Sequence, residues 1–466
     1  MNVYDVCALL LYTVLTVSIG DMFLRLASVK NCGGRIALSY VCGQLIWYLL
    51  MLLAFFARVP ADFLVYGFSV LSACWLIALL FASKRVGIMG LLSGWWFPLL
   101  ITVVVFPQVI YSVLKVPLLG WDARSIWFFH AKAIFFNRGV GVGFFADAAY
   151  AWSHTDYPLL LPVQGAVVCF IRGGWSEMAA KSFLVVNFTV WLSLIVDILI
   201  VRGWDRVIAW CTAIIVMSVS ALSYVDGYAD NHYVMPFVLA LLLGFKKGDN
   251  TDGLVVAGIL ATYSINVKNE ALPYVMAALA VWVWYYVCQS RRKDFSVVRL
   301  LGWWMVPGLA SWVLWAVYKA VFGISGDMQL ITTLSHPVQT VSRFFVRLPQ
   351  ILLHIALFYR ESGLGILLIV ILLVMFLRQR KDQACGRSFM TAEEVSVWLV
   401  LLVVQLMIVA VYVVTPYEFI WHISTSLVRL MQLPYMIALA LAIYTTERVC
   451  PDVIQNRSGC EAGTVW

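Results

Sequence analysis

Four short polar stretches in an otherwise apolar chain hold the residue types that could do chemistry. In the first, Gly120-Trp121-Asp122-Ala123-Arg124, a carboxylate sits between a tryptophan and a cation, and Lys132 follows shortly after. A carboxylate so placed suits general-base work, and the cations beside it suit the holding of a phosphate. His154 and Asp156 close the same stretch, directly before Tyr157-Pro158. The second stretch runs from Tyr224 to His232 and carries Asp226 and Asp230, and the third is Lys268-Asn269-Glu270. The fourth runs from Thr415 to Arg429 and includes Trp421 and His422.

Each of these residues also has a plainer reading. Asp122 reads as a solvated acid beside an interfacial tryptophan belt, although ionisable groups at membrane depth are functional candidates by default. Asp156 reads as a turn cap before a proline that forces its predecessor into an extended conformation. Asp226 and Asp230 suit the capping of a helix beginning near Asn231. Lys268 and Glu270 suit a tight solvated turn, Trp421 suits the aromatic belt, and His422 fits either role. Two basic residues resist the plain reading, because an outward Lys268 and an outward Arg429 break the positive-inside pattern of the basic clusters.

The elements that must position these residues follow from composition. The chain has 466 residues, of which 63% are hydrophobic and 12% charged, and its mean hydropathy is +0.91. Soluble domains hold about 25% charged residues, so these values predict an all-α polytopic membrane protein. No alternating pattern points to a barrel. The first apolar run, Val6 to Ile19, lacks a basic flank and a small-residue cleavage site, and reads as a retained span.

The net charge of +8 does not call for a nucleic-acid partner, because the Lys and Arg residues stand in short clusters between apolar runs. These clusters are Arg25/Lys30/Arg35, Lys84/Arg85, Arg202/Arg206, Lys246/Lys247, Arg291/Arg292/Lys293, Arg378/Arg380/Lys381 and Arg448. Putting all of them on the cytoplasmic side predicts about thirteen transmembrane helices with the N-terminus outside. The spans fall near 5–20, 37–57, 63–83, 87–114, 178–201, 207–224, 232–245, 253–267, 271–289, 298–322, 362–377, 395–414 and 433–446. Pro158 to Ile171 must then not cross; it is short, carries two prolines, and reads as interfacial or re-entrant.

The chain therefore divides into a four-helix membrane segment, 1–114, and an outer loop with juxtamembrane helices, 115–177. A transmembrane core, 178–448, follows with a second outer loop at 323–361, and a cytoplasmic tail, 449–466, ends the chain. The ten cysteines are scattered singly and suggest neither disulfides nor thiolate metal sites. There is no HExxH, GxSxG or phosphate-loop pattern in a meaningful context. The outer acids demand no cofactor and leave room for a divalent cation such as Mg or Mn.

From about residue 115 onward the sequence resembles the GT-C glycosyltransferases that use polyprenyl-phosphate-linked sugars, among them proteins similar to aminoarabinose transferases and protein O-mannosyltransferases. Asp122 matches the acid of the first outer loop, and Tyr157-Pro158-Leu159-Leu160-Leu161-Pro162 matches the juxtamembrane segment. Gly174 to Lys181, with Glu177 between, matches the start of the next span, and Tyr228-Ala229-Asp230 the second acidic turn. Two departures stand out: four spans precede the acidic loop, and Asn231-His232-Tyr233 replaces the usual Pro-Leu.

The resemblance implies a GT-C-like fold and an inverting transfer of sugar from a polyprenyl-phosphate donor to an extracytoplasmic acceptor (glycan, lipid or protein). The setting implied is a bacterial inner membrane. Asp122 would be the general base, and Arg124, Lys132, Lys268 and Arg429 would hold the lipid phosphate. His154, Asp156, Asp226, Asp230, Glu270, Trp421 and His422 would support these groups or bind the acceptor. A secondary transporter and an O-antigen polymerase or ligase are the alternatives; a transporter predicts charges at mid-span.

Overall fold

A computed structural model describes residues 1–27, 29, 34–82, 88–219, 221–245, 251–289, 297–326, 337–384 and 390–449. Among these residues all regular structure is helical. The first part of the bundle contains α1 (Val3–Leu26), α2 (Arg35–Ala57), α3 (Ala61–Ala82), α4 (Ile88–Val105) and α5 (Pro107–Lys115). A π-helical turn (Ala123–Trp127), α6 (Phe128–Phe136), α7 (Val142–Phe145) and α8 (Leu160–Arg172) make up the following segment. The core continues with α9 (Glu177–Val201), α10 (Arg206–Ser218), α11 (Asp230–Gly244), α12 (Thr251–Ile265), α13 (Ala271–Gln289) and α14 (Val297–Phe322). It ends with α15 (Pro337–Glu361), α16 (Leu364–Ala384), α17 (Ala392–Val414), α18 (Phe419–Leu430) and α19 (Gln432–Val449).

Among the described residues seven helical stretches, one of them α18 and α19 together, are long and apolar enough to cross a membrane, or eight if one bent pair counts as a single span. The bent pair falls in the span expected over 87–114. Helix α4 stops at Val105, and α5 leaves at 84° to it. Pro107 at the start of α5 has no N–H to donate and drives Phe106 out of the helical region.

Capping fixes several starts. Asn2 and Asp5 form a reciprocal capping box on α1, and Thr391 and Glu394 form another on α17. Ser176 caps α9, its Oγ accepting from Ala179 N at 3.2 Å.

The two ends of the bundle differ in what they hold. At one end Asp21 joins Arg25 and Arg35, each at 2.7 Å. Arg202 pairs with Glu447 at 2.5 Å, and Glu394 receives Arg378 at 2.9 Å and Arg448 at 3.3 Å. The described members of the basic clusters that form ion pairs thus meet at this end, where each side chain finds an acid. Lys30, Lys84, Arg85, Lys246, Lys247, Arg291, Arg292, Lys293 and the tail from residue 450 lie outside the described residues.

At the opposite end lie the first residues of the chain, the 115–177 segment and the turns before α11, before α13 and around α18. Asp5 pairs there with Arg172 at 2.5 Å, and the Met1 amine donates to Leu114 O at 3.4 Å.

Helix α8 has only 13 residues, too short at about 1.5 Å per residue to traverse about 30 Å of hydrocarbon. Both its ends are tied to that same end of the bundle, through Arg172 to Asp5 and through Leu160 N to Asn266 O at 3.3 Å. Every residue from Leu160 to Phe170 is buried within the protein.

The segment 323–361 also differs from a loop holding a short apolar stretch. Its residues 337–361 form one helix, α15, of which Thr340–Glu361 is long and apolar enough to cross a membrane. Thr340, Arg343, Arg347, Gln350 and His354 recur at helical spacing and form one polar face. Arg347 on that face donates to the carbonyls of Tyr412, Val413 and Thr415 at 3.2, 3.0 and 3.2 Å, supplying donors at the C-terminal end of α17.

Between the two ends the helices are joined by neutral polar groups. Gln44 of α2 donates to Tyr12 of α1 at 3.1 Å and to Asn187 of α9 at 3.0 Å, and accepts from Tyr263 of α12 at 2.8 Å. Tyr12 in turn donates to Gln164 of α8 at 2.8 Å. Asn187 meets the His232 ring of α11 at 3.4 Å. All six side chains are buried.

Candidate functional site

The turns that carry Asp122, Asp230, Lys268 and Arg429 come together at the end opposite the basic clusters. Arg429, in the last turn of α18, bonds Asp122 through Nη1 and lies 3.9 Å from Asp230 Oδ2. Lys268 Nζ bonds Asp230 Oδ1 at 2.8 Å and stands 3.5 Å from Glu270 Oε1. Asp230 therefore bridges the two cations. The Arg429 guanidinium also lies 5.2 Å from the centre of the Tyr228 ring, a favourable cation–π position.

The local chain explains how Asp122 reaches this place. Glu177 and Lys181, one helical turn apart at the start of α9, hold the backbone that leads to it. Glu177 Oε1 accepts from Leu118 N at 2.9 Å, and Lys181 Nζ donates to Val116 O. Gly120 then passes so close to Tyr228 that a Cβ would stand 2.2 Å from the ring. Gly227 adopts φ +91°, where a side chain is strained, and a Cβ there would lie 2.8 Å from Ala123. These two glycines let the Asp122 turn and the Asp226 turn pack directly on each other.

His154 and Asp156 lie behind the network. Asp156 accepts from Asn269 Nδ2 at 2.7 Å, next to Lys268 and Glu270. The Tyr157 ring stacks on Trp127 at 5.4 Å and on His154 at 5.2 Å, and its hydroxyl donates to Glu270 Oε1 at 3.5 Å. Burial, with Glu270 beside it, pushes that hydroxyl's pKa well above its usual value, so it remains a donor. His130 is fixed by Ser153 at 3.2 Å, and burial pulls its pKa down to about 3, which leaves a neutral packing residue.

Four expected site residues stand apart from the ion network. Arg124 and Lys132 are exposed, because Ala123, Ile126 and Trp127 of the π-turn and His130, Ala131 and Ile134 of α6 turn inward. Trp421 is 57% exposed and packs only its edge on Tyr417, at 5.9 Å between ring centres. His422 packs against Tyr412 and Tyr417 at 5.2 and 5.4 Å.

A cavity of about 170 Å³ opens beside Arg429, lined also by Ser223, Asp226, Tyr228, Asp230, Asn231 and Gln432. Drug-sized ligands occupy about 300–1,000 Å³, so this space suits a single ring or a phosphate group. Asp226 accepts from Tyr228 N at 2.8 Å. Burial, against that hydrogen bond and with Asp230 nearby, pushes the Asp226 pKa up to about 7. Burial pulls on the Lys268 ammonium, yet Asp230 and Glu270 keep its pKa above the usual value, so it stays charged.

Asn231 and Gln432 line this cavity but are not among the expected site residues, because uncharged amides leave no mark on charge sidedness. The spacing of Gln432, three residues after Arg429, was the available signal.

Among the described residues no group of three or more His, Cys, Asp or Glu side chains is arranged to hold a metal. Asp122, Asp230 and Glu270 are each engaged by Arg429 or Lys268. This donor set does not fit a divalent cation. No family model matches the chain, and neither the curated proteins nor the solved structures gave a match.

Proposed function

We propose that this chain is a membrane-embedded glycosyltransferase that takes a sugar from a polyprenyl-phosphate donor and passes it, with inversion, to an extracytoplasmic acceptor. The observation that carries this reading is the meeting of Asp122, Asp230, Lys268, Glu270 and Arg429 from four remote turns at one end of an apolar bundle. A lipid-borne phosphate arriving at the bilayer surface needs cations at that level, and an acceptor hydroxyl needs a base beside them. The depth of the charges favours this reading over a transporter. Among the described residues the ion pairs of the core lie at the two ends, and the middle of the bundle is joined by neutral groups.

The charge balance sets the order of events. In the resting site the cations Arg429 and Lys268 already have carboxylate partners. A donor phosphate bound by Arg429 displaces Asp122 and so frees the base as the substrate arrives. The acceptor oxygen then attacks the anomeric carbon while its proton passes to Asp122. The bond from that carbon to the phosphate oxygen breaks, and the lipid phosphate leaves with the electron pair, stabilised by Arg429 and Lys268. Arg124 and Lys132, being exposed, are left out of this scheme. The same reading has thirteen spans in a GT-C-like arrangement, in a bacterial inner membrane with the site on the outer face.

The test uses the full chain in nanodiscs with polyprenyl-phosphate donors bearing a labelled sugar. Wild type should release or transfer the label, and Asp122→Asn should lose this by about 10²–10⁴-fold. Persistent transfer by Asp122→Asn would remove Asp122 as the base. Failure of wild type to consume any donor of the set would overturn the transferase reading.

A further inference from the structure

One ion pair stands apart from both ends of the bundle and from its interior. Arg360 Nη2 meets Glu361 Oε1 at 3.3 Å, and the two side chains are 72% and 69% exposed. Their neighbour Tyr359 fixes the height. Gln405 Nε2 donates to the Tyr359 hydroxyl at 2.7 Å, and Gln405 lies near the middle of α17. At about 1.5 Å per residue it is roughly 15 Å from either end of that helix. One end is marked by Glu394, which holds Arg378 and Arg448, and the other by the carbonyls that accept from Arg347. Arg360 and Glu361 therefore sit about halfway down the wall of the bundle and point away from it.

The surface around the pair is apolar. Leu352, Leu353, Ile366, Ile369 and Leu402 are each more than half exposed, and only 6% of the α15 span is buried against the rest of the chain. Lipid covers such side chains, but it cannot solvate an arginine and a glutamate at this depth, where ionisable groups are expensive and seek partners. The pair does not satisfy itself. Adjacent residues on a helix do not face each other, and one contact at 3.3 Å leaves most guanidinium donors and a carboxylate oxygen open. Snorkelling to the interface serves cations near a helix end, not ones at mid-height. What covers the pair has to bring an acid to Arg360 and a base to Glu361, side by side at the same depth. A second copy of this chain does so by symmetry. A two-fold axis along the membrane normal sets Arg360 of each copy against the partner's Glu361. Ser362, Gly363 and Gly365 follow directly, and such small residues let two backbones approach closely. We propose that the chain dimerises within the membrane through α15 and the start of α16, with two reciprocal Arg360–Glu361 pairs at the centre of the contact.

Resonance energy transfer between donor-labelled and acceptor-labelled copies of the full chain, reconstituted together in liposomes and diluted with lipid, tests the dimer. Wild type should show transfer that persists on dilution. Arg360→Glu alone and Glu361→Arg alone should each weaken association about tenfold or more, because each sets like charges against like across the two-fold axis. Donor-labelled Arg360→Glu mixed with acceptor-labelled Glu361→Arg should regain the transfer. Neither of those chains has an internal pair, so the rescue reports a contact between copies. The neutral double variant Arg360→Gln/Glu361→Gln introduces no like charges and carries the test should a reversal disturb insertion; it too should associate more weakly than wild type. A wild type that separates into monomers on dilution, a mixture that shows no rescue, or a neutral double variant that associates as tightly as wild type would overturn the dimer. No turnover is read, so the result stands apart from the fate of the Asp122→Asn experiment.

Discussion

Arg429 reaches across 307 residues of chain to bond Asp122. The pair joins the last turn of α18 to the turn that precedes α6, and both side chains are partly buried, with 28% and 20% of their surface exposed. A bond between residues so remote reports directly on whether the outer turns have gathered.

Replacing Arg429 with Gln should therefore weaken the fold and the anion site together. Loss of a hydrogen bond to a charged group costs about 1.5–3 kcal/mol, and thermal unfolding of the nanodisc-embedded protein measures it. Titration with sugar-free polyprenyl phosphate should show affinity reduced at least tenfold. Unchanged affinity would put the phosphate elsewhere on the molecule.

Lys268 is the more deeply held cation, 7% exposed against 28% for Arg429. Lys268→Met takes the ammonium from Glu270 and leaves Asp230 with Arg429 at 3.9 Å, and should cost about 3–5 kcal/mol. Adding Asp230→Asn should recover part of that loss, because the buried charge disappears with it. A double variant no more stable than Lys268→Met would mean that Asp230 does not depend on the ammonium.

Asp226 gives the site a dependence on pH. Its folded pKa of about 7 lies above the ordinary 3.8, so between those values the folded protein holds a proton that the unfolded chain has released. Stability from this group is complete below about pH 4, falls as the pH rises toward about 7, and is flat above. The difference in melting temperature between wild type and Asp226→Asn, followed from pH 4 to pH 8, should decline over that window in favour of the variant. A difference independent of pH would show that Asp226 is ionised throughout.

Hydropathy and charge sidedness made the gathering of Asp122, Asp230, Lys268 and Arg429 legible, because alternating span ends assign each turn to one end of the bundle. They could not say which way a side chain turns. Arg124 and Lys132 lie in the right segment and face away, since the buried stripe of Ala123, Trp127 and Ile134 claims the inner face. The bend at Phe106-Pro107 was written in the sequence, but a continuous apolar run outweighed it. Arg343, Arg347 and His354 fall within an apolar stretch, and only their helical spacing shows that they form one face of α15. The amides of Asn231 and Gln432 were least legible, because a neutral polar group shows its value only when its partner, or the lack of one, can be seen.

The joined side chains of Tyr12, Gln44, Gln164, Asn187, Tyr263 and His232 bear on biogenesis. Lipid offers these hydroxyls and amides nothing to bond, so α1 and α2, once inserted, carry unmet valences until α8, α9 and α12 are made. The earliest helices to leave the ribosome thus wait for later ones. A synthesis halted before Tyr263 would leave Gln44 without the phenol that donates to its carbonyl oxygen, a mark by which membrane quality control can tell an unfinished chain from a finished one.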